Sequence, residues 1–216
     1  MKSFKMYALA ALFAAFFATE APAQAARYKG VAVGAAIKNQ YPFGDWADYA
    51  ATNIGLSVFA EYTIPAFLPK NLDLGASARF DYDHTFSKKE STLSQYEGFT
   101  ANAGLWLRIP FCIKGHTLAL QPEFSYGAHL AFAKGKNGVS LDDSYLSQAI
   151  CVAPALRYVV PAETLKNLEF EFSPLWTIMP QKGGGLIQTI GFRLGAVWHL
   201  KSNKKGGAEW ENWQRF

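Results

Sequence analysis

Asp81-Tyr82-Asp83-His84-Thr85-Phe86-Ser87 places two carboxylates, a histidine and a serine within one short stretch. A histidine can take the proton of a hydroxyl, a carboxylate can orient that histidine, and a serine can then attack an acyl carbon, so nucleophile, base and orienter are all available in type. His129 and Ser147 offer a second pairing if they face one another across neighbouring strands. The plainer reading of a histidine beside carboxylates is a hydrogen-bonded surface residue. His116 and His199 fall away from the other two, so the four histidines give no metal-ligand set, and no metal or other cofactor is expected.

A second group of chemically active residues is larger and more regular. Glu61, Asp73, Arg79, Arg108, Glu123, Arg157, Glu169, Glu171 and Arg193 all occupy the polar phase of segments in which every other residue is apolar. The stretch LDLGASARFDYDHT shows the pattern: Leu72, Leu74, Ala76, Ala78, Phe80 and Tyr82 alternate with Asp73, Gly75, Ser77, Arg79, Asp81 and Asp83. Side chains of a strand point alternately to opposite faces, so this is a ribbon with one apolar and one charged side. The split recurs over 28–37, 53–65, 99–109, 117–133, 146–160, 168–179 and 187–200, which with the first ribbon makes eight strands. Short connections at 66–71, 110–115 and 161–167 alternate with longer polar ones at 38–52, 84–98 and 134–145, as in an up-and-down meander that can close on itself.

Two closed barrels fit this alternation. A soluble one turns its apolar face inward, a membrane-spanning one turns it outward to lipid. Lysine decides between them, because after Lys29 the lysines, Lys38 included, are read as lying in turns, loops or the tail, and a water-facing wall would carry some. The polar phase is instead rich in small residues such as Gly55, Ser57, Gly75, Gly104, Ser125, Ala149 and Gly195, suited to a crowded interior. Aromatic residues of the apolar phase gather near strand ends, with Tyr62, Tyr158, Phe170 and Trp198 toward the short turns and Tyr82, Phe99 and Phe132 toward the long loops. Two such girdles are what bilayer interfaces select. The fold expected is therefore all-β, an eight-stranded antiparallel up-and-down transmembrane β-barrel.

The ends of the chain read differently. Lys2 and Lys5 precede an apolar run from Met6 to Ala18, and Ala23-Gln24-Ala25 has the small-x-small form of a signal peptidase site, so residues 1–25 are expected to be a signal peptide cleaved after Ala25. The barrel then covers 26–200 and a short periplasmic tail covers 201–216. The formal charge of +4 is weak and scattered, which excludes nucleic acid as a natural partner. Cys112 near a short turn and Cys151 inside strand six are expected about 20 Å apart, beyond disulfide reach.

On these residues the chain resembles the small eight-stranded outer-membrane barrels of Gram-negative-type bacteria, the OmpA, OmpX and OmpW kind, in the cell envelope. The most specific match is in the last strand, where Arg193, Gly195, Trp198 and Leu200 fit the signal by which barrel-assembly machinery recognises such proteins, although here the tail follows it. The resemblance implies outer-membrane localisation, periplasmic termini and short turns, outward-facing loops, and outer-membrane lipid as the surrounding partner. It also implies a non-enzymatic role, either structural or a porin-like or OmpW-like passage of small hydrophobic molecules. Lipid-modifying acyl transfer or deacylation at the outer rim and adhesion through the outer loops are the competing classes.

Within that frame the inward charges Glu61, Arg79, Arg108, Glu123, Arg157, Glu169, Glu171 and Arg193 form a lumen network. A hairpin centred near residue 164 puts Arg157 opposite Glu171, with Glu169 diagonal and Arg193 approaching from the next strand. Pro122, Pro154 and Pro174 fall on three consecutive strands at similar depth, each deleting a ladder donor. They mark either bulges or a lateral seam toward the bilayer, and Leu175, Met179 and Ile187 would line an apolar vestibule leading to it for a small hydrophobic ligand. The aromatic stretch QYPFGDWADY is read as the first outer loop, either an interface or a lid over the lumen.

Overall fold

A computed structural model describes residues 30–64, 72–113, 116–136, 144–161, 165, 167–181 and 185–200. The segments expected to be signal peptide and tail lie outside these residues. Eight strands run in chain order: β1 Val31–Phe43, β2 Ala50–Ile64, β3 Asp73–Ser87, β4 Leu93–Ile113, β5 His116–Gly135, β6 Tyr145–Val159, β7 Leu168–Pro180 and β8 Leu186–His199. Each pairs antiparallel with the next, and β1 pairs with β8 from Ala32 opposite His199 to Phe43 opposite Gln188, closing the ring. Closure leaves no unpaired sheet edge, which is what makes a sheet stable in lipid. The end bearing Val31 and His199 is called the lower end below, the other the upper end.

The alternation read from the sequence becomes the two sides of the wall. Ser57, Phe59 and Glu61 on β2 are buried inside, while Leu56, Val58 and Tyr62 between them are exposed outside. The same inversion holds around the ring, with Phe80, Leu105, Phe124, Val152, Phe170, Ile190 and Trp198 outside and arginines and glutamates inside. A surface so apolar over a core so charged is stable against hydrocarbon and not against water, so the eight-stranded barrel is a transmembrane one. Part of the upper aromatic girdle is in contact, Phe99 lying 5.3 Å from Tyr82 and 6.1 Å from Phe132 between ring centroids.

The expected loops are shorter than their sequences suggest. β1 continues to Phe43, a 3-10 turn covers Gly44–Asp48, and β2 has begun by Ala50. β3 likewise reaches Ser87 and β4 starts at Leu93, while β4 runs on to Ile113 at the lower end. The reason is physical: above the hydrocarbon a strand no longer needs an apolar outer face, so Asn39 and Gln95 read as loop while still pairing in the ladder. One consequence overturns an expectation. Lys38 lies in β1, not in a loop, and its side chain is buried in the lumen at 5% exposure.

Candidate functional site

All eight charges expected in the lumen are buried there. Arg157 on β6 stands directly opposite Glu171 on β7, as the hairpin register required. Its Nη2 lies 2.5 Å from Glu171 Oε2 and donates to Glu61 Oε1 on β2 at 2.6 Å, while Nη1 is 3.8 Å from Glu169. Arg108 on β4 meets Glu169 with both terminal nitrogens, and His199 Nε2 lies 3.1 Å from the same carboxylate. Arg193 on β8 donates through Nε to Glu171 at 2.5 Å and approaches Glu123 on β5 at 3.5 Å. Glu123 also receives Arg79 on β3 at 2.8 Å and the Ser77 hydroxyl at 2.7 Å. Seven of the strands are thus tied across the lumen by charge-assisted bonds, the strong kind.

Four arginines face four glutamates, so this lower network is neutral as a set. At its centre is a residue that the sequence left without a role. Phe59 sits in the polar phase of β2, with the Arg79 guanidinium 4.3 Å from its ring centroid and those of Arg157 and Arg193 each at 5.8 Å. Its ring faces draw cations while its body fills space that water would otherwise take. The odd phase of Phe59 was the visible signal; its three partners come from distant strands.

Small residues let these groups fit. A Cβ at Gly75 would lie 1.9 Å from the Trp106 indole, whose Nε1 donates to Ala76 O at 3.2 Å. Trp106 and Arg108 close the lower lumen beside Gly75 and Asp73, their cross-strand neighbours.

The upper lumen holds a different cluster. Lys38 Nζ lies 2.8 Å from Asp83 and 3.0 Å from Asp81. Gln40 donates to Thr177 at 3.0 Å and Thr189 at 2.8 Å. Tyr145 donates to the Tyr96 hydroxyl at 2.7 Å, Tyr96 lies 2.9 Å from His129 Nε2, and His129 Nδ1 is 2.8 Å from Thr100. Above them Leu93, Tyr96, Ala131, Ala133, Ala149, Met179 and Ile187 form an apolar cluster against which Trp46 packs, its ring 5.1 Å from that of Tyr96.

These contacts place the residues of two further expectations. Met179 and Ile187 pair across β7 and β8 and are buried in the apolar cluster, and Leu175 is buried against Cys151 and Ala153. Of the two candidate acyl-transfer pairs, one is split and one is brought face to face. Ser87 and His84 lie in opposite phases of β3, and His84 instead meets Glu97 at 2.6 Å on the outer wall, where Glu97 also takes Gln95 and the Tyr82 hydroxyl. His129 does stand opposite Ser147, but its two nitrogens are engaged by Tyr96 and Thr100.

Of the aromatic stretch of the first connection, Gln40 to Phe43 belong to β1, with Gln40 in the lumen, and Trp46 packs against the upper cluster. Pro122 is directly opposite Pro154, and the β6–β7 ladder lacks its pairs between Val152 opposite Trp176 and Leu156 opposite Phe172, the level of Pro154 and Pro174. The β4–β5 ladder is likewise interrupted between Trp106 opposite Glu123 and Ile109 opposite Leu120, beside Pro122. In the last strand Arg193 points inward, Trp198 is exposed outside, and Leu200, just past the strand, donates its N–H to Val31 O at 2.9 Å. Cys112 and Cys151 are both free.

No protein-family model matches the sequence, and no curated protein matches it. Among solved structures, Neisserial surface protein A is similar at 14% identity and a TM-score of 0.48, over 80% of this chain and 98% of that one. Ail, the attachment invasion locus protein of Yersinia pestis, is similar at 13% identity and a TM-score of 0.45, over 79% and 98%. The N-terminal β-barrel domain of OprF from Pseudomonas aeruginosa is similar at 14% identity and a TM-score of 0.44, over 80% and 100%. All three are small eight-stranded outer-membrane barrels.

Proposed function

We propose that this chain is an integral outer-membrane barrel with a sealed interior, whose work is done by its wall and its upper rim. The carrying observation is Arg157, fully buried and bridging Glu61 on the far side of the lumen to Glu171 on the neighbouring strand. With Trp106 and Arg108 below it and the apolar cluster with Trp46 above, the ring of eight strands is filled by side chains, as a barrel of this size favours. Such a protein reinforces the envelope, with barrel-assembly machinery as its partner during insertion and outer-membrane lipid thereafter. Its reading as non-enzymatic is supported by the separation of His84 from Ser87 and by the engaged nitrogens of His129. Single-channel conductance of the refolded chain in a planar bilayer tests the seal, with heat-modifiable gel mobility confirming the fold. Absence of steady conductance is the expected result; ion-selective conductance overturns the seal and makes the arginines and glutamates a filter.

A second reading is favoured by the interrupted ladder at Pro154 and Pro174. Missing backbone bonds in lipid weaken a wall locally, and a small hydrophobic molecule of the OmpW-like kind could pass sideways there. Replacing Pro122, Pro154 and Pro174 with Val lowers uptake of an apolar probe by vesicles if the seam is the path. Unchanged uptake by a folded triple variant sinks it.

A further inference from the structure

The upper rim is divided by charge. On the side of β3, β4 and β5 stand Lys88, Lys89, Lys134 and Lys136 against Glu90 and Glu97, four positive charges to two negative, whereas the turn between β1 and β2 carries Asp45 and Asp48. Glu97 is already engaged by the Tyr82 hydroxyl, Gln95 and His84. Lys88, Lys89 and Lys134 are exposed, and among the described residues none of the three has a carboxylate at ion-pair distance.

Hydrogen bonds above the girdle draw these lysines into one patch. Lys136 Nζ donates to Lys88 O at 2.9 Å and Lys89 O at 3.3 Å, and the Ser94 hydroxyl donates to Lys134 O at 2.9 Å. The Lys88 N–H donates to Tyr49 O at 3.0 Å. The β3–β4 turn is thus pinned to the end of β5 on one side and to the residue before β2 on the other.

The outer wall below the patch is apolar and hollowed. Lys134 is the next outward residue above Phe132, whose ring lies 6.1 Å from that of Phe99 in the girdle. Farther down, Ala78, Ala101 and Ala103 face outward among Val58, Phe80 and Tyr126, and their small side chains leave an open groove of about 720 Å³. From Ala128, which pairs with Ala101, up to Lys134 is about 20 Å along β5. One leaflet of a bilayer with its headgroups is about 20 Å thick as well.

We infer that the β3–β5 face of the wall seats one phosphate-bearing lipid of the leaflet at the upper end, its phosphate among Lys88, Lys89 and Lys134 and an acyl chain in the alanine groove. Resting on the outer-membrane reading above, the site selects one lipid chemistry from those that merely surround the barrel. An ammonium on a flexible stem is a point charge suited to phosphate, and charge at a membrane surface adds to the binding of acidic headgroups. A free anion needs no groove and a neutral lipid needs no lysines; an amphiphile with an acidic head uses both.

The test is native mass spectrometry of the refolded chain in an uncharged detergent, titrated with phosphatidic acid, phosphatidylcholine or inorganic phosphate. One phosphatidic acid should be retained at concentrations where phosphatidylcholine and inorganic phosphate are not. Lys88→Gln, Lys89→Gln and Lys134→Gln together should weaken that retention by roughly fivefold per lysine. Ala101→Phe with Ala103→Phe, which fills the groove from outside, should weaken it with the lysines intact. Equal retention of phosphatidylcholine overturns the proposal, and so does inorganic phosphate that competes as well as the lipid, or retention unchanged in either variant. The heat-modifiable gel shift is read on every sample, and Lys134→Gln alone replaces the triple variant where that one shows no shift. A wild-type chain without the shift overturns the barrel and the site together, whereas a shifted wild-type chain without lipid preference overturns the site alone.

Discussion

Arg157 and Glu171 face one another across β6 and β7 with 2.5 Å between Nη2 and Oε2, and neither side chain is exposed. The same Nη2 also meets Glu61 from β2, so one guanidinium joins a nearest-neighbour pair to the opposite wall. Breaking a buried pair by removing one member leaves the other charge without compensation. Arg157→Met should therefore cost about 3–5 kcal/mol of barrel stability. Urea unfolding in vesicles checks it, and Arg157→Lys should recover only part, since a single ammonium cannot reach three carboxylates in the way a planar fork does.

The seal and the stability should be separable. Replacing Glu61 and Arg157 together by alanine removes one negative and one positive charge, so the lower network stays neutral while the bridge across the lumen is gone. A steady small conductance is expected from this double variant in a planar bilayer, against none from the parent. A silent but folded double variant would show that Trp106, Arg108 and the upper cluster block the path without the bridge.

The Arg157–Glu171 pair was legible in the sequence because the β6–β7 hairpin is short and its register fixes who stands opposite whom, whereas the reach of Arg157 to Glu61 across the lumen was not. Lys38 was not legible. Around it, Asn39 interrupts the outward apolar phase, so the end of β1 reads as loop although Asn39 pairs with Ile54 and Phe192. Phe59 was legible in phase alone: alternation placed it inside, but its arginines arrive from β3, β6 and β8, and only closure of the ring brings those together. The packing around the expected vestibule was hidden for a related reason. Met179 and Ile187 were correctly placed inside at the upper end, whereas the residues that fill the space beside them, Tyr96 and Leu93, lie in a stretch that reads as loop.

Phe59 should count for more than its size. Each guanidinium over a ring is worth about 0.5–2 kcal/mol depending on how far it is desolvated. Phe59→Leu keeps an apolar side chain but removes the ring from Arg79, Arg157 and Arg193. A double-mutant cycle of Phe59→Leu with Arg79→Met, read by urea unfolding, should give a coupling of about 0.5–2 kcal/mol. Simple additivity would reduce Phe59 to a space filler.

Gly75 tests whether the lower closure depends on one ring. A Cβ there would sit 1.9 Å from Trp106 Cζ2, far inside contact distance, and the indole is buried with its Nε1 bonded to the backbone of the same strand as Gly75. The ring cannot step aside without entering the space of Arg108 or the wall, since interiors are packed too closely to yield. Gly75→Val should thus abolish the heat-modifiable gel shift, and Gly75→Ala should weaken it. Gly185→Ala is the control, because its added Cβ would meet only Gln181, at 3.6 Å, an ordinary contact. Restoration of folding by Gly75→Val combined with Trp106→Leu would locate the fault in the ring alone, while a Gly75→Val variant that folds normally would show that the lower end repacks freely.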